Sequence, residues 1–231
     1  MRLASIIDVS LVDVPRIPVT VIFTGGCNFD CPYCQNASLI PLTSGTETPI
    51  SKIVTQVKDF LSDGFCITGG EPTLQRDLPE LLRALKEEIG GHINLNTQGS
   101  NPSVLEESIQ YLDSVWFDLK SAPQRYRDVC RTKEDPWPRV HKSINLIMNS
   151  DTEFWPRSTF VGGLIDSSDI NEILSFLKSI GFEGEYVIQN YVGSSGVRAS
   201  ESKAFSSPTL EEMEELHIEG YDGIEIRLDW R

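Results

Sequence analysis

Hydrophobic residues recur along the chain with two different spacings. Short runs rich in β-branched and aromatic residues are typical of buried strands, and longer segments with an apolar residue every three or four positions are typical of amphipathic helices. The predicted strands are Leu3–Val9 at an edge, Val19–Phe23, Phe65–Thr68, Ile93–Asn96, Ser114–Asp118, Phe154–Val161, Tyr186–Asn190 and Ile224–Leu228. The predicted helices are Ile50–Leu61, Asp77–Ile89, Pro102–Tyr111, Pro136–Met148, Asp169–Ile180 and Pro208–His217.

The regular alternation of these strands and helices predicts βαβ units and a parallel sheet. The chain supplies about six such units, whereas a closed barrel of eight units takes about 250 residues. The whole chain has 231 residues. We therefore predict a single α/β domain over residues 1–231, built as a partial, open barrel of six β/α units.

One connection in this pattern is unusually long. Residues 24–49 lie between the first central strand and the first helix, and they contain no predicted helix or strand. Loops of this length in compact domains are usually functional or disordered. Three of the five cysteines fall in this segment, which makes it the first candidate for chemistry.

Composition and charge exclude several classes of protein. The chain has 20 basic and 34 acidic residues, a formal net charge of −14, so it gains nothing from counterion release on nucleic acid. Its apolar runs are too short to span a bilayer, and its first residues lack the pattern of a signal peptide. Five cysteines are too few for a disulfide scaffold. We expect a cytoplasmic protein without a nucleic-acid or membrane partner.

The cysteine-rich loop contains Cys27, Cys31 and Cys34 in the spacing C-x3-C-x2-C. Three thiolates within eight residues converge on one centre when they bind a metal or a cluster. A structural zinc ion takes four ligands, so zinc and inert thiols remain the weaker alternatives. Cys66 and Cys130 are isolated in the sequence, and Cys66 is expected to be a small buried hydrophobic residue. Because clusters normally take four cysteines, three on a four-iron cluster leave one iron open for a substrate.

Polar and glycine-rich residues follow four other predicted strands. Active sites in folds of this kind lie at the carboxyl ends of the strands, so these residues should share an edge with the cysteine loop. They are Gly69-Gly70-Glu71-Pro72, Asn96-Thr97, Asp118-Leu119-Lys120 and Gly162-Gly163. The plainer alternatives are a βα turn for the glycine–proline segment and an ordinary ion pair between Asp118 and Lys120.

The cysteine loop and the Gly-Gly-Glu-Pro segment resemble the motifs of the radical S-adenosylmethionine superfamily. The resemblance implies a [4Fe–4S] cluster held by Cys27, Cys31 and Cys34, with S-adenosylmethionine bound at the open iron. It implies further that Tyr33 lies beside the adenine and that Glu71 faces the ammonium group of the methionine part. The other residues that it implies as cofactor contacts are Gly69, Gly70, Pro72, Asn96, Thr97, Asp118, Lys120 and Arg157.

Within that superfamily, Ser10–Asn36, Thr68–Leu78 and Trp116–Lys120 are similar to the activases of glycyl-radical enzymes, and most of all to activating proteins of anaerobic ribonucleotide reductases. This resemblance implies an oxidoreductase that cleaves S-adenosylmethionine to a 5′-deoxyadenosyl radical. The radical would take a hydrogen atom from a glycine of a partner reductase or another glycyl-radical enzyme. A flavodoxin- or ferredoxin-type protein would supply the electron.

Two other functions remain open on the sequence alone. The first is a radical enzyme for a small molecule, similar to the deazapurine synthases, in which Arg157, Lys120 and Arg198 could form a basic pocket. The second is a noncatalytic iron–sulfur or zinc-binding module. No cysteine follows Cys130, so no auxiliary cluster is expected, and we predict that a large protein substrate supplies most of its own binding surface.

Overall fold

The computed structural model describes residues 1–216 and 220–230. The chain forms two compact units, each assembled from separate segments. The first unit consists of Met1–Asn28, Ser38–Trp116 and Pro138–Phe154. The second unit consists of Phe29–Ala37, Phe117–Trp137 and Trp155–Arg231. That the chain acts as one domain stays a prediction.

The strands form a mostly parallel sheet. In the described part of the chain they are β1 Arg2–Ser10, β2 Val19–Thr24, β3 Thr46–Glu47, β4 Gly64–Gly69, β5 His92–Thr97, β6 Ser114–Asp118, β7 Glu153–Phe160, β8 Gly184–Asn190 and β9 Ile224–Asp229. Their order is β3-β1-β2-β4-β5-β6-β7-β8-β9, which leaves the sheet open. β1 is antiparallel to β2 and β3, whereas β2–β4, β4–β5, β7–β8 and β8–β9 are parallel pairs. The predicted α/β class with an open parallel sheet is confirmed.

Helices follow the central strands in the predicted order. They are α1 Ile50–Val57, α2 Leu78–Glu88, α3 Pro102–Ser108, α4 Tyr126–Val129, α5 Trp137–Met148, α6 Ser167–Ser179 and α7 Leu210–Glu214. The short helix α4 was not predicted. His217, the predicted end of the last helix, lies outside the described residues. Among the helices that are described, none is long and apolar enough to cross a membrane.

In the first unit, two helices supply a buried apolar stripe that holds the strands in place. Burial of a large aliphatic side chain contributes about 1.5–3 kcal/mol, so each helix is held mainly by such packing. The buried residues of α1 are Ile50, Ile53, Val54 and Val57, and the buried leucines of α2 are Leu78, Leu81, Leu82 and Leu85. β2, β4 and β5 are almost entirely buried, which is typical of central parallel strands.

Several predicted boundaries are wrong. The first helix ends at Val57 instead of Leu61, because the next turn is tighter than an α-helical turn. The Phe60 N–H donates to the carbonyl of Val57, three residues earlier, at 3.1 Å. Leu61 is 91% exposed and does not extend the apolar stripe. α6 begins two residues before the predicted start. Asp166 caps it by accepting from the Asp169 N–H at 3.0 Å, and the Asp169 carboxylate accepts from the Asp166 N–H at 3.2 Å.

Candidate active site

The predicted site residues are divided between the two units. The cysteine loop passes from the first unit to the second after Asn28. The residues in the first unit are Cys27, Gly69, Gly70, Glu71, Pro72, Asn96 and Thr97. The residues in the second unit are Cys31, Tyr33, Cys34, Asp118, Lys120 and Arg157.

In the first unit, two glycines bring the turn after β4 against the start of the cysteine loop. Gly69 has φ of +127°, and a Cβ there would lie 2.2 Å from the Thr24 carbonyl oxygen. A Cβ on Gly70 would lie 2.1 Å from the Gly26 carbonyl oxygen. The Gly70 N–H donates to the Thr24 carbonyl at 2.9 Å, and the Glu71 N–H donates to the Gly26 carbonyl at 2.8 Å. The glycines are therefore required for backbone packing.

Side chains that the sequence did not single out fix the residues on either side of Cys27. The Asn28 carboxamide oxygen accepts from Gln98 Nε2 and from Ser100 Oγ, each at 3.0 Å. Gln75 Nε2 donates to the Gly25 carbonyl at 2.8 Å. These contacts join positions 50 to 72 residues apart, so no local pattern could have revealed them.

The Glu71 carboxylate is 1% exposed and accepts four hydrogen bonds. Thr73 donates its N–H at 3.1 Å and its hydroxyl at 2.6 Å, the Thr97 hydroxyl donates at 2.6 Å, and the Gln98 N–H donates at 3.0 Å. Burial raises the pKa of Glu71, and the hydrogen bonds oppose part of that increase. A carboxylate has about four acceptor positions, so Glu71 is largely occupied in tying the turn to the end of β5. Its contact with an ammonium group stays a prediction.

A chain of buried polar groups runs under the end of β5. Asn94 Nδ2 donates to Asn96 Oδ1 at 2.7 Å and to Cys66 Sγ at 3.4 Å, while Ser114 Oγ donates to Asn94 Oδ1 at 2.9 Å. Cys66 is fully buried, as expected, but it also accepts a hydrogen bond. Asn96 is thereby held in place by its neighbour on the same strand.

In the second unit, Cys31 lies beside Cys130, a residue that the sequence gave no reason to connect with it. A hydrogen bond with the Cys130 side chain is the main cause that lowers the pKa of Cys31, against the effect of burial. The Asp30 N–H donates to the Cys130 carbonyl at 2.9 Å. Burial raises the pKa of Cys34, whose N–H donates to the Cys31 carbonyl at 3.2 Å. None of these cysteines is in a disulfide bond.

Tyr33 is 6% exposed, and its hydroxyl has no hydrogen-bond partner among the described residues. Burial raises the pKa of Tyr33 well above its ordinary value. Buried hydroxyl groups are nearly always hydrogen-bonded, so Tyr33 is an exception, and its position beside the adenine stays a prediction.

Asp118, Lys120 and Arg157 form a compact charged group in the second unit. Arg157 Nε lies 2.5 Å from Asp118 Oδ1, and Lys120 Nζ lies 3.1 Å from Asp118 Oδ2. Burial alone would raise the pKa of Asp118, but Arg157 and then Lys120 lower it to about 2. The ion pair that was the plainer alternative is therefore present, and the group of three carries one net positive charge.

The kinds of side chain present suit an iron–sulfur cluster and S-adenosylmethionine, and that they form one site stays a prediction. Cys27, Cys31 and Cys34 are the three thiols that such a cluster would take, and the group around Asp118 has a positive charge that suits a carboxylate. In the described residues, no three His, Cys, Asp or Glu side chains are placed so that they could hold a single metal ion. A cluster does not need such a group, because its cysteines bind separate irons.

Comparison with known proteins points to the same chemistry. The sequence profile of the radical SAM superfamily matches residues 21–180. The chain is 32% identical over 194 residues to a protein of Methanocaldococcus jannaschii that is named as a glycyl-radical enzyme activating enzyme, and the match covers 81% of this chain and 79% of that protein. It is 28% identical over 185 residues to the pyruvate formate-lyase-activating enzyme of Streptococcus mutans, with 73% and 69% covered.

The fold is also similar to a solved structure. SuiB of Streptococcus suis superposes with a TM-score of 0.60 at 17% identity, over 89% of this chain and 47% of SuiB, so the chain spans just under half the length of SuiB. At this identity the similarity is one of fold. Because the superfamily profile matches well over half of the sequence, the chain belongs to the radical S-adenosylmethionine superfamily, whose cofactors are a [4Fe–4S] cluster and S-adenosylmethionine.

Proposed function

We propose that this radical S-adenosylmethionine enzyme is an activase of a glycyl-radical enzyme. The observation that carries the proposal is the length of the similarity: four-fifths of this chain aligns with a protein named for that activity, and a pyruvate formate-lyase-activating enzyme aligns over 73%. The partner that we propose first is an anaerobic ribonucleotide reductase, because Ser10–Asn36 and Trp116–Lys120 resemble the activating proteins of that group.

The two units contribute different functions to this proposal. In the second unit, Lys120 and Arg157, oriented by Asp118, would bind the carboxylate of S-adenosylmethionine, and Tyr33 would contact its adenine. In the first unit, the resemblance to the superfamily assigns contacts with S-adenosylmethionine to Gly69, Gly70, Glu71, Pro72, Asn96 and Thr97. These contacts would hold the cofactor in one orientation and keep water from the reacting atoms.

The proposed reaction consumes one electron and one S-adenosylmethionine for each activated partner. When bound, the cluster would pass this electron to S-adenosylmethionine, whose cleavage to methionine would supply a 5′-deoxyadenosyl radical for removal of a hydrogen atom from a glycine Cα of the partner, with 5′-deoxyadenosine as the second product. A flavodoxin- or ferredoxin-type protein is the proposed electron donor. We place the enzyme in the cytoplasm, where reducing conditions keep thiols such as its five free cysteines reduced.

A mixing experiment tests the proposal. The reconstituted protein is reduced without oxygen and mixed with S-adenosylmethionine and a candidate anaerobic ribonucleotide reductase, and the electron paramagnetic resonance spectrum is recorded. We expect a doublet that collapses when the glycine of the partner carries deuterium at Cα. The Cys31→Ala variant should give no radical, whereas the Cys66→Ala variant should give the full signal. Turnover of a free deazapurine precursor without any partner radical would replace the activase with a small-molecule enzyme.

A further inference from the structure

The segment that follows β8 packs on the cysteine loop within the second unit. We call Tyr191–Ser207 the strap. Gln35 Nε2 donates to the Val192 carbonyl at 2.7 Å, and the Ala37 N–H donates to the Gly196 carbonyl at 3.2 Å. A Cβ on Gly196 would lie 1.7 Å from the Gln35 carbonyl oxygen, so the two backbones are in direct contact. The strap thus holds the part of the loop that follows Cys34.

Arg198 extends these contacts to Cys31. Its Nη2 donates to Asp30 Oδ1 at 2.5 Å, to the Asp30 carbonyl at 3.4 Å and to the Cys31 carbonyl at 3.3 Å. The side chains of Arg198 and Asp30 are 34% and 43% exposed. Ion pairs with this exposure contribute little to stability. The contact therefore matters mainly because it fixes the geometry of the loop and sets the local charge at Asp30.

The segment of Asp30 and Cys31 is held from two directions. Arg198 contacts its carbonyl groups, and the Cys130 carbonyl accepts from the Asp30 N–H at 2.9 Å. Cys130 also hydrogen-bonds the Cys31 side chain. The backbone at Cys31 is therefore supported by two other segments of the chain, and Arg198 is the cationic member of that support.

We infer that Arg198 is a positioning residue of the cluster-binding loop, which fixes the backbone at Cys31 and neutralises the Asp30 carboxylate at a place where reduction adds a further negative charge. The reduction potential of an iron–sulfur cluster depends on the net charge and hydrogen bonds around it. A guanidinium beside Cys31 should favour uptake of the single electron from the donor. The inference depends on the cofactors of the superfamily and not on which partner is activated.

Three variants test the inference without measuring catalysis. Arg198→Gln removes the charge, and Arg198→Lys keeps the charge but loses the planar fork of donors. Arg227→Gln is the matched control, because it also removes one positive charge from the second unit, where Arg227 pairs with Glu185 at 3.0 Å on an exposed part of β9. Each protein is reconstituted without oxygen, its iron and sulfide are counted, and the reduced fraction of the cluster is followed by electron paramagnetic resonance at controlled potentials.

Arg198→Gln should lower the ratio of reduced to oxidised cluster about tenfold at a given potential, which corresponds to about 59 mV for a one-electron couple. Arg198→Lys should stay close to the wild-type potential but release iron to a chelator several times faster. Arg227→Gln should match the wild type in both measurements. The inference is overturned if Arg198→Gln has the potential and the iron-release rate of Arg227→Gln. If Arg198→Gln does not fold, the iron-release rate of Arg198→Lys decides, and a wild-type rate overturns the inference.

Discussion

Glu71 in the first unit is buried and Asp118 in the second is half-buried, each near the end of a strand, but the protein stabilises the two carboxylates in opposite ways. Glu71 accepts hydrogen bonds from four neutral donors, and burial raises its pKa. Asp118 lies between two cations, Arg157 and Lys120, which lower its pKa to about 2. The first arrangement depends on exact backbone placement, whereas the second depends on charge.

The two carboxylates therefore have different structural roles. The donors to Glu71 come from its own turn and from the end of β5, so its carboxylate joins the turn after β4 to the end of β5. Asp118 fixes the orientation of the Lys120 and Arg157 side chains. Each of these side chains loses up to about 2 kcal/mol of rotamer entropy when it is held in one conformation. We therefore expect acid and charge-removing substitutions to affect the second unit more than the first.

The largest expected effect is loss of the cluster, and it is the same for cysteines of either unit. Cys27 belongs to the first unit and Cys31 and Cys34 to the second, yet Cys27→Ala, Cys31→Ala and Cys34→Ala should each abolish the cluster. Cys66→Ala and Cys130→Ala should retain it, since neither belongs to the three-cysteine loop. Anaerobic reconstitution with iron and sulfide counting decides the matter, and full iron loading of Cys31→Ala would disprove the assignment.

The next effect is a loss of stability that should differ between the two units. Asp118→Asn leaves Arg157 and Lys120 close to each other without their common anion. It should destabilise the folded protein by about 2 kcal/mol, less than the loss for a fully buried pair, because Asp118 is 24% exposed. Chemical denaturation of the cluster-free protein measures the change. Lys86→Gln provides the control, because Lys86 pairs with Asp113 at 2.7 Å in the first unit with both partners more than a third exposed. Equal losses in the two variants would contradict a special contribution from Asp118.

Acid should reproduce part of the Asp118→Asn effect. The pKa of Asp118 is about 2 in the folded protein and 3.8 without these partners, so ionised Asp118 stabilises the fold above about pH 4. That contribution, about 2 kcal/mol, is lost as the pH falls towards 2. The pKa of Glu71 is raised, so its ionisation has the opposite sign and costs stability at neutral pH. The difference in unfolding free energy between the wild type and Asp118→Asn should therefore shrink by about 2 kcal/mol on acidification.

Local sequence patterns predicted the framework of both units but not the contacts that complete them. The strand Ser114–Asp118 has the predicted bounds, because an apolar run that ends in charged residues marks where a parallel strand leaves the core. The helix at Ile50 was predicted too long, since apolar spacing continues to Leu61 after the backbone has already left the helix. The capping residue Asp166 was missed because the predicted helix was started at Asp169, three residues later.

The contacts that the sequence did not predict join residues far apart in the chain. Arg198 and Asp30 are 168 positions apart, and neither shows any local sign of the other. Cys130 looks like an ordinary buried thiol until the chain places it beside Cys31. Motifs reveal the residues that chemistry requires at fixed spacing, such as the three cysteines. They do not reveal the supporting contacts, because many residue types can supply a hydrogen bond to a carbonyl group.

The smallest expected effect tests whether Glu71 is the structural member of the pair. Glu71→Gln keeps an oxygen for the donors from Thr73 and Thr97 but turns an amide towards the Gln98 N–H. The loss of that hydrogen bond is partly offset because no charge is buried, so the net destabilisation should be about 1 kcal/mol. The affinity for S-adenosylmethionine, followed by electron paramagnetic resonance of the cluster, should change less than about tenfold, because four protein donors already occupy the carboxylate. A charge-assisted contact with the ammonium of the cofactor would be worth about 1.5–3 kcal/mol. A loss of affinity on that scale would show that Glu71 binds the cofactor directly and would remove the contrast with Asp118.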